Sequence, residues 1–332
     1  MTRGTGTPEG DSPPQSGSNG PQPGAVHQAL ARIAPHIVRT PMLRNAALDR
    51  LCSATVLIKP EVLQRTGSFK LRGATNALRQ LTQEQLAKGI VTHSAGNHGQ
   101  AIACAAAALG AAATIVMPAD APAIKRDSTA FWGATVILYD RATESREAIA
   151  QAIVARTGAI LIPPYEHEDV IAGQGTAALE LFEDAAAENL KLDTLLVPTG
   201  GGGFVAGCAL AAAAVSPATK IYSVEPEGWD DTARSLRTGQ REKNDMRGSP
   251  LCDALLTATP GELTFSINKR LLAAGLVVSD DEVKAAQKYA AHHFKLIVEP
   301  GGAVALAALL NRRIAPEGKT IGVILSGGNT QV

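Results

Sequence analysis

Four short stretches combine residue types that can do chemistry. In Thr66-Gly-Ser-Phe-Lys-Leu-Arg-Gly73, Lys70 stands in the first turn of a prospective helix, behind a Gly-Ser turn. An amine held there can attack a carbonyl and, once freed, act as a base. Read plainly, the same residues are a helix start capped by Ser68. His93-Ser-Ala-Gly-Asn-His-Gly-Gln100 offers several backbone N–H groups and the Asn97 amide ahead of a helix, which suits a carboxylate. Pro198-Thr-Gly-Gly-Gly-Gly-Phe-Val-Ala-Gly207 lets the backbone approach a phosphate closely at a helix N-terminus. Ser326-Gly-Gly-Asn329 leaves a hydroxyl at the end of an apolar run, where it can meet a ring nitrogen of a ligand.

The glycine run has a second reading. Gly201-x-Gly203-x-x-Ala206 also fits a dinucleotide-binding fingerprint, with Glu225 placed to bind a ribose. Taken alone, this region leaves a nicotinamide enzyme open.

The elements that must position these stretches follow from periodicity. Short β-rich runs occur at Thr55–Lys59, Ile90–His93, Ala113–Met117, Thr135–Leu138, Ala159–Ile162, Thr194–Val197, Lys220–Val224 and Thr320–Leu325. Helix-length segments lie between them, at Ser68–Leu81, Gly99–Leu109, Ala121–Trp132, Thr143–Arg156, Thr176–Asn189, Asp281–Phe294 and Ala303–Arg312. This alternation predicts an α/β fold with mostly parallel sheets covered by helices. Ligands of such folds bind at the carboxyl ends of strands, where all four motifs fall.

Taken together, in this order and spacing, the motifs resemble the fold-type II pyridoxal-phosphate enzymes, and within them the threonine/serine dehydratase and serine racemase group. Ala172-Gly-Gln-Gly-Thr176, Val224-Glu-Pro-x-x-x-Asp-Asp231, Pro260-Gly-Glu-Leu-Thr264 and Glu299-Pro-Gly-Gly-Ala303 add to the likeness, which runs from about Ile33 to the C-terminus. The resemblance implies a tryptophan synthase β-like fold of two parallel-sheet α/β domains with the active site in their cleft. It implies a large cofactor domain of residues 25–88 and 168–332, a small domain of residues 89–167 and a homodimer.

It also assigns roles. Lys70 matches the lysine that condenses with the cofactor's aldehyde, and Phe69 packs beside the ring. Asn97 meets the ring's 3-oxygen, and Gly200, Gly201, Gly202, Gly203 and the N–H of Phe204 hold the phosphate. Ser326 meets the pyridine nitrogen, and Glu299 belongs to the same cofactor site. Ser94, Ala95, Gly96, Asn97 and His98 form the substrate-carboxylate loop, with Arg146 near the substrate. Glu225, the carbonyl of Trp229 and Asp231 match a divalent-cation site, with Mg²⁺ or Ca²⁺ suited to oxygen ligands. The family usually has alanine where Trp229 stands. A dinucleotide fold has no use for Lys70 or Ser326, so the nicotinamide reading gives way.

The implied activity is elimination of water from a β-hydroxy-α-amino acid such as L-threonine or L-serine, giving a 2-keto acid and ammonia. A neutral Ser326 hydroxyl does not hold the ring nitrogen protonated, which favours elimination over a long-lived carbanion. Serine racemases carry a serine as opposite-face acid/base where this chain has Ala95, so racemisation is expected to be weak or absent. Larger substrates (phenylserine, hydroxyaspartate, a hydroxyectoine-derived acid), a racemase and a catalytically silent ligand-binding relative are the alternatives. The sequence shows no evident clamp for a second carboxylate.

Composition bounds the rest. The 332 residues carry 31 Lys+Arg against 31 Asp+Glu, and aromatics are 4%. Neither a basic face for nucleic acid nor a stacking platform is expected. No apolar run is long enough to span a membrane. Four scattered cysteines without a C-x-x-C predict reduced core thiols and a cytoplasmic protein. Glu166-His-Glu-Asp169 reads as a charged helix start rather than a metal site. Residues 1–24 contain no Val, Ile, Leu or aromatic residue and are expected to be a disordered tail, not a signal peptide. With three residues after Asn329, no regulatory domain and no isoleucine feedback are expected.

Overall fold

The computed structural model describes residues 20–331. Most of the expected tail lies outside them. Its last residues do not behave as a tail: Pro21 is buried, and the helix Gly24–Ile33 begins on the final tail position. Val26, Ala29 and Ile33 bury one face of that helix, which is what fixes this end of the chain.

Nine strands are formed among the described residues: β1 (Thr55–Pro60), β2 (Ile90–His93), β3 (Ala113–Pro118), β4 (Thr135–Tyr139), β5 (Ile160–Leu161), β6 (Thr194–Pro198), β7 (Lys220–Pro226), β8 (Ala274–Val278) and β9 (Thr320–Leu325). Every strand pairing is parallel. One sheet has the order β1-β9-β6-β7-β8 and the other β4-β3-β2-β5. β1, β6 and β9 are near-continuous apolar runs because helices cover both of their faces. β8 is not among the expected strands. Ala274-Gly-Leu-Val-Val278 opens on two residues with little β preference, and pairing with β7 at the sheet edge supplies what local preference does not.

The chain leaves the first sheet through the helix Lys70–Leu78, builds the second sheet from consecutive strands, and returns through the helix Glu168–Ala187. That return helix starts two turns before its expected beginning at Thr176. Its glycines suggest a break, but they serve close packing: a Cβ on Gly173 would lie 2.7 Å from both the Arg72 carbonyl oxygen and the Gly73 Cα. The two crossing helices therefore touch almost backbone to backbone.

A fully buried charge network ties the same helices to β1. Arg72 donates from Nε and Nη2 to the two Glu61 oxygens, each at 2.8 Å, and from Nη1 and Nη2 to the two Glu180 oxygens, also at 2.8 Å. Lys59 Nζ reaches Glu180 Oε2 at 2.8 Å and the Thr40 carbonyl at 2.7 Å. Two cations face two anions with their hydrogen bonds filled, the condition under which buried charge is tolerated. The four cysteines are free and buried, as expected. No helix among the described residues is long and apolar enough to cross a membrane.

Candidate active site

One cleft is lined by Phe69 and Lys70, by the Ser94–His98 loop after β2, by Thr199–Phe204 after β6, and by Ser326 after β9. The four motifs thus meet at strand ends. Arg146 and Glu299 also line it. Glu225, Trp229 and Asp231 do not; they lie at and beyond the end of β7.

Lys70 begins its helix, and the loop before it is stitched to the end of β9. Phe69 N–H donates to the Ser326 carbonyl at 3.1 Å, and Gly328 N–H to the Gly67 carbonyl at 2.9 Å. The Asn329 amide donates to the Thr66 carbonyl at 2.9 Å. These bonds fix Lys70 relative to Ser326 although the two are far apart in sequence. The Lys70 amine opens into the cleft and donates to the Pro164 carbonyl at 2.9 Å. Burial lowers its pKa to about 8, so a useful fraction is the free amine near neutrality.

The tetraglycine loop forms an uncapped helix entrance. Gly202 has φ of +87°, and the helix Gly203–Val215 has neither a side-chain cap nor an acidic residue in its first turn. Its orphan N–H groups are therefore left for an anion. A side chain on Gly201 would overlap the Tyr165 ring. Phe204, on the first turn, stacks on Phe69 with ring centroids 3.8 Å apart. The loop is held from outside: Thr264 Oγ1 donates to the Gly201 carbonyl at 2.7 Å and Asn268 Nδ2 to the Gly202 carbonyl at 3.2 Å.

Glu166 secures the helix that carries those two residues. Its carboxylate accepts from the N–H groups of Leu263 and Thr264, each at 3.1 Å. It is a cap supplied from a distant segment, while Glu168 and Asp169 stand in the first turn of Glu168–Ala187, the charged helix start expected of this stretch. Local sequence could not reveal it, since the partner lies 97 residues away.

The Ser94–His98 loop is closed by its own hydroxyl: Ser94 Oγ accepts from Gly96 N–H at 3.1 Å. His98 Nε2 is 3.1 Å from the Ile162 carbonyl, which can only accept, so Nε2 carries the proton. Burial, followed by the nearby Lys70 charge, holds His98 well below the usual histidine range and hence neutral. Asn97 donates to Glu299 Oε1 at 2.5 Å and accepts from Asn329 Nδ2 at 2.9 Å. The cleft also contains Lys125, Arg141, Tyr165 and Asp253, which no sequence motif singles out.

At the end of β7, both Glu225 oxygens accept backbone N–H groups, from Thr232 at 2.9 Å and Ala233 at 2.7 Å. Asp231 Oδ1 accepts from Asn244 at 2.7 Å, while its buried Oδ2 has no partner. Burial and the Asp231 charge push Glu225 well up, and burial pushes Asp231 up to about 7. Trp229 fits here because Gly248 leaves room for its ring, whose Nε1 donates to the Ser249 carbonyl at 2.9 Å. No group of three or more His, Cys, Asp or Glu side chains gathers among the described residues.

Comparison with known proteins agrees with this geometry. The family model described as pyridoxal-phosphate dependent enzyme matches residues 33–327. The chain is 43% identical to an L-threo-3-hydroxyaspartate ammonia-lyase of Saccharomyces cerevisiae, covering 94% of each chain. Among solved structures it resembles maize serine racemase, at 37% identity and a TM-score of 0.90, covering 94% of this chain and 95% of that one. It also resembles the threonine deaminase of T.th., at 39% identity and a TM-score of 0.88, covering 94% and 99%. All three likenesses run nearly end to end, through the same loops that line the cleft. The chain belongs to the pyridoxal-phosphate dependent enzymes and has their fold-type II architecture.

Proposed function

We propose that this chain is an ammonia-lyase that removes water from a β-hydroxy-α-amino acid and releases a 2-keto acid and ammonia. The observation that carries this is Lys70: a partly desolvated amine facing an uncapped, glycine-lined helix entrance in one cleft. The residues fit the cofactor. Gly200–Gly203 and the Phe204 N–H would hold the phosphate, Phe69 would flank the ring, and Asn97, Glu299 and Ser326 would meet its polar edge. Bound there, pyridoxal phosphate supplies the electron sink that lets the Cα–H and Cβ–O bonds break.

The protein's share is positioning and proton transfer. The N–H groups of the Ser94–His98 loop bind the substrate carboxylate and so aim Cα at Lys70. The free Lys70 amine takes the Cα proton. The Cβ–O bond breaks and the hydroxyl leaves as water, taking up one proton against the one Lys70 removed from Cα; the enamine product then adds a water in solution and gives keto acid and ammonia, with no net oxidation. Ala95 offers no acid on the opposite face, so return of the substrate as its mirror image is weak or absent. Keto-acid release from the reconstituted enzyme, measured over threonine, serine and threo-3-hydroxyaspartate, tests this. Lys70→Ala should abolish both the visible absorption band and turnover; retention of either would sink the assignment.

For the substrate, a second carboxylate has specific support. Arg141 and Arg146 both line the cleft, a feature that sequence could not assemble, and the Saccharomyces cerevisiae relative is named for hydroxyaspartate. A charge-assisted pair from Arg146 contributes about 1.5–3 kcal/mol. Arg146→Ala should therefore cut kcat/KM for threo-3-hydroxyaspartate by roughly 10- to 150-fold while changing that for threonine little. Equal losses on both would favour threonine or serine as the substrate class.

The orphaned Asp231 oxygen beside a second buried carboxylate fits a hard divalent cation held by Glu225, Asp231, the Trp229 carbonyl and waters. The division into residues 25–88 with 168–332 and residues 89–167 is supported by the four-stranded sheet, which falls within the second range. For the homodimer, exposed Phe131 and Leu138 supply apolar surface.

A further inference from the structure

Lys125 is unusual among the cleft residues. It is 3% exposed and comes from the helix Ala123–Phe131 after β3, in the four-stranded sheet's part of the chain. Both carboxylates it faces come from the other part. Its Nζ lies 2.6 Å from Asp253 Oδ2, and 3.2 Å from Glu299 Oε2. The first contact is a hydrogen bond. The second is an ion pair outside hydrogen-bond alignment, and Glu299 Oε2 has no other partner. The aliphatic stem of Lys125 covers Gly96, where any side chain would collide with it.

Glu299 passes this contact on. Its Oε1 accepts from Asn97 Nδ2 at 2.5 Å, and its N–H donates to the Gly327 carbonyl at 3.0 Å, next to Ser326. Asn97 Oδ1 in turn takes the Asn329 amide, which also reaches Gln100 Oε1 at 3.2 Å. One cation thus stands at the head of a chain that ends on both the carboxylate loop and the Ser326 loop.

We propose that Lys125 is a positioning residue, which bridges the two parts of the molecule across the cleft and, by pairing with Glu299, fixes how Asn97 presents its amide. The inference rests on the ammonia-lyase reading only for its activity measurement. An ionised carboxylate can only accept, so it demands the NH₂ end of Asn97. A protonated Glu299 carries its own donor and no longer imposes that orientation. Burial pushes Glu299 up, and Asp253 adds to this; Lys125 and the Asn97 bond pull it back. The charged and titratable groups facing Glu299 are Lys125 from its helix, and Asp253 with the Cys252 thiol from the 252–255 turn.

The test uses the cofactor-loaded enzyme and three variants, Lys125→Met, Lys125→Arg and Asp253→Asn. Two readouts are followed against pH: kcat/KM from keto-acid release, and the visible absorption band without substrate. With Lys125→Met, Glu299 protonates at higher pH, so the acid limb of kcat/KM and a matching change in the band should both move up by about one pH unit or more. Lys125→Arg should restore both toward wild type. Asp253→Asn should leave the limb in place or lower it, because Lys125 then serves Glu299 alone.

A uniform loss in Lys125→Met with unshifted limb and band overturns the proposal, as does an upward shift in Asp253→Asn equal to that of Lys125→Met. If Lys125→Met does not fold, an upward shift in Asp253→Asn still overturns it. A wild-type enzyme that releases no keto acid defeats the ammonia-lyase reading, while the band titration continues to decide the role of Lys125.

Discussion

Lys70 shows what one residue's surroundings do to its chemistry. An ordinary lysine amine is almost wholly protonated at neutral pH, and a protonated amine neither attacks an aldehyde nor takes a proton. Desolvation in the cleft brings its pKa to about 8. The rate at which the apo-protein takes up pyridoxal phosphate, followed by the growth of the visible band, should rise with pH through about 8 and then level off. A rate that stays flat between pH 6 and 9 would show that the amine is not desolvated. That Lys70, the glycines and Ser326 share a cleft was legible in the sequence because each sits in a short motif, and the four motifs together resemble one family. Lys125 and Glu166 were not, since each acts on a partner about a hundred residues away, 128 for Lys125 with Asp253 and 97 for Glu166 with Leu263. A helical lysine and an acidic helix start look the same in sequence whether or not such a partner exists.

The helix Lys70–Leu78 places its first residue in the cleft only while its first turn stays anchored. Arg72 provides the anchor, with Glu61 and Glu180 closing around its guanidinium. Glu180→Ala leaves Lys59 and part of Arg72 buried without their anion, which should cost about 3–5 kcal/mol of stability. Denaturant titration of the apo-protein reads this directly, and a loss below about 1 kcal/mol would mean that water enters the network. Elements were legible where short apolar runs stood between helix-length segments, as in β6 and β9. They were not where tertiary contacts overrode local preference. The start of Glu168–Ala187 runs through glycines that look like breaks but permit the contact with Gly73, and β8 exists because β7 offers it an edge.

At the scale of the molecule, two parallel sheets are joined through two helices that nearly touch, and the cleft is built from both sides of that joint. A divalent cation at Glu225 and Asp231 would act on this scale, because these residues lie outside the cleft, at and just beyond the end of β7, where burial and the Asp231 charge push Glu225 up. Mg²⁺ or Ca²⁺ should raise Tm by several degrees and a chelator should reverse it, as ligand binding to the folded state requires. Asp231→Asn should remove the ion dependence. A Tm indifferent to either ion would leave the buried pair sharing a proton instead.

The order β1-β9-β6-β7-β8 has a consequence for how the protein folds. β9, the last of the nine described strands in sequence, is the one that joins β1 to β6. Until it arrives, the first strand and the remainder of its sheet have no common neighbour, and the loop bearing Lys70 has nothing to be stitched to. Lys70 and the Gly200–Gly203 loop both precede β9 in the chain, yet the sheet that brings them to one cleft is complete only when β9 has paired. Pairings between such distant strands form slowly. Closure of this sheet is therefore a late step in folding, and the cleft is complete only once β9 lies between β1 and β6.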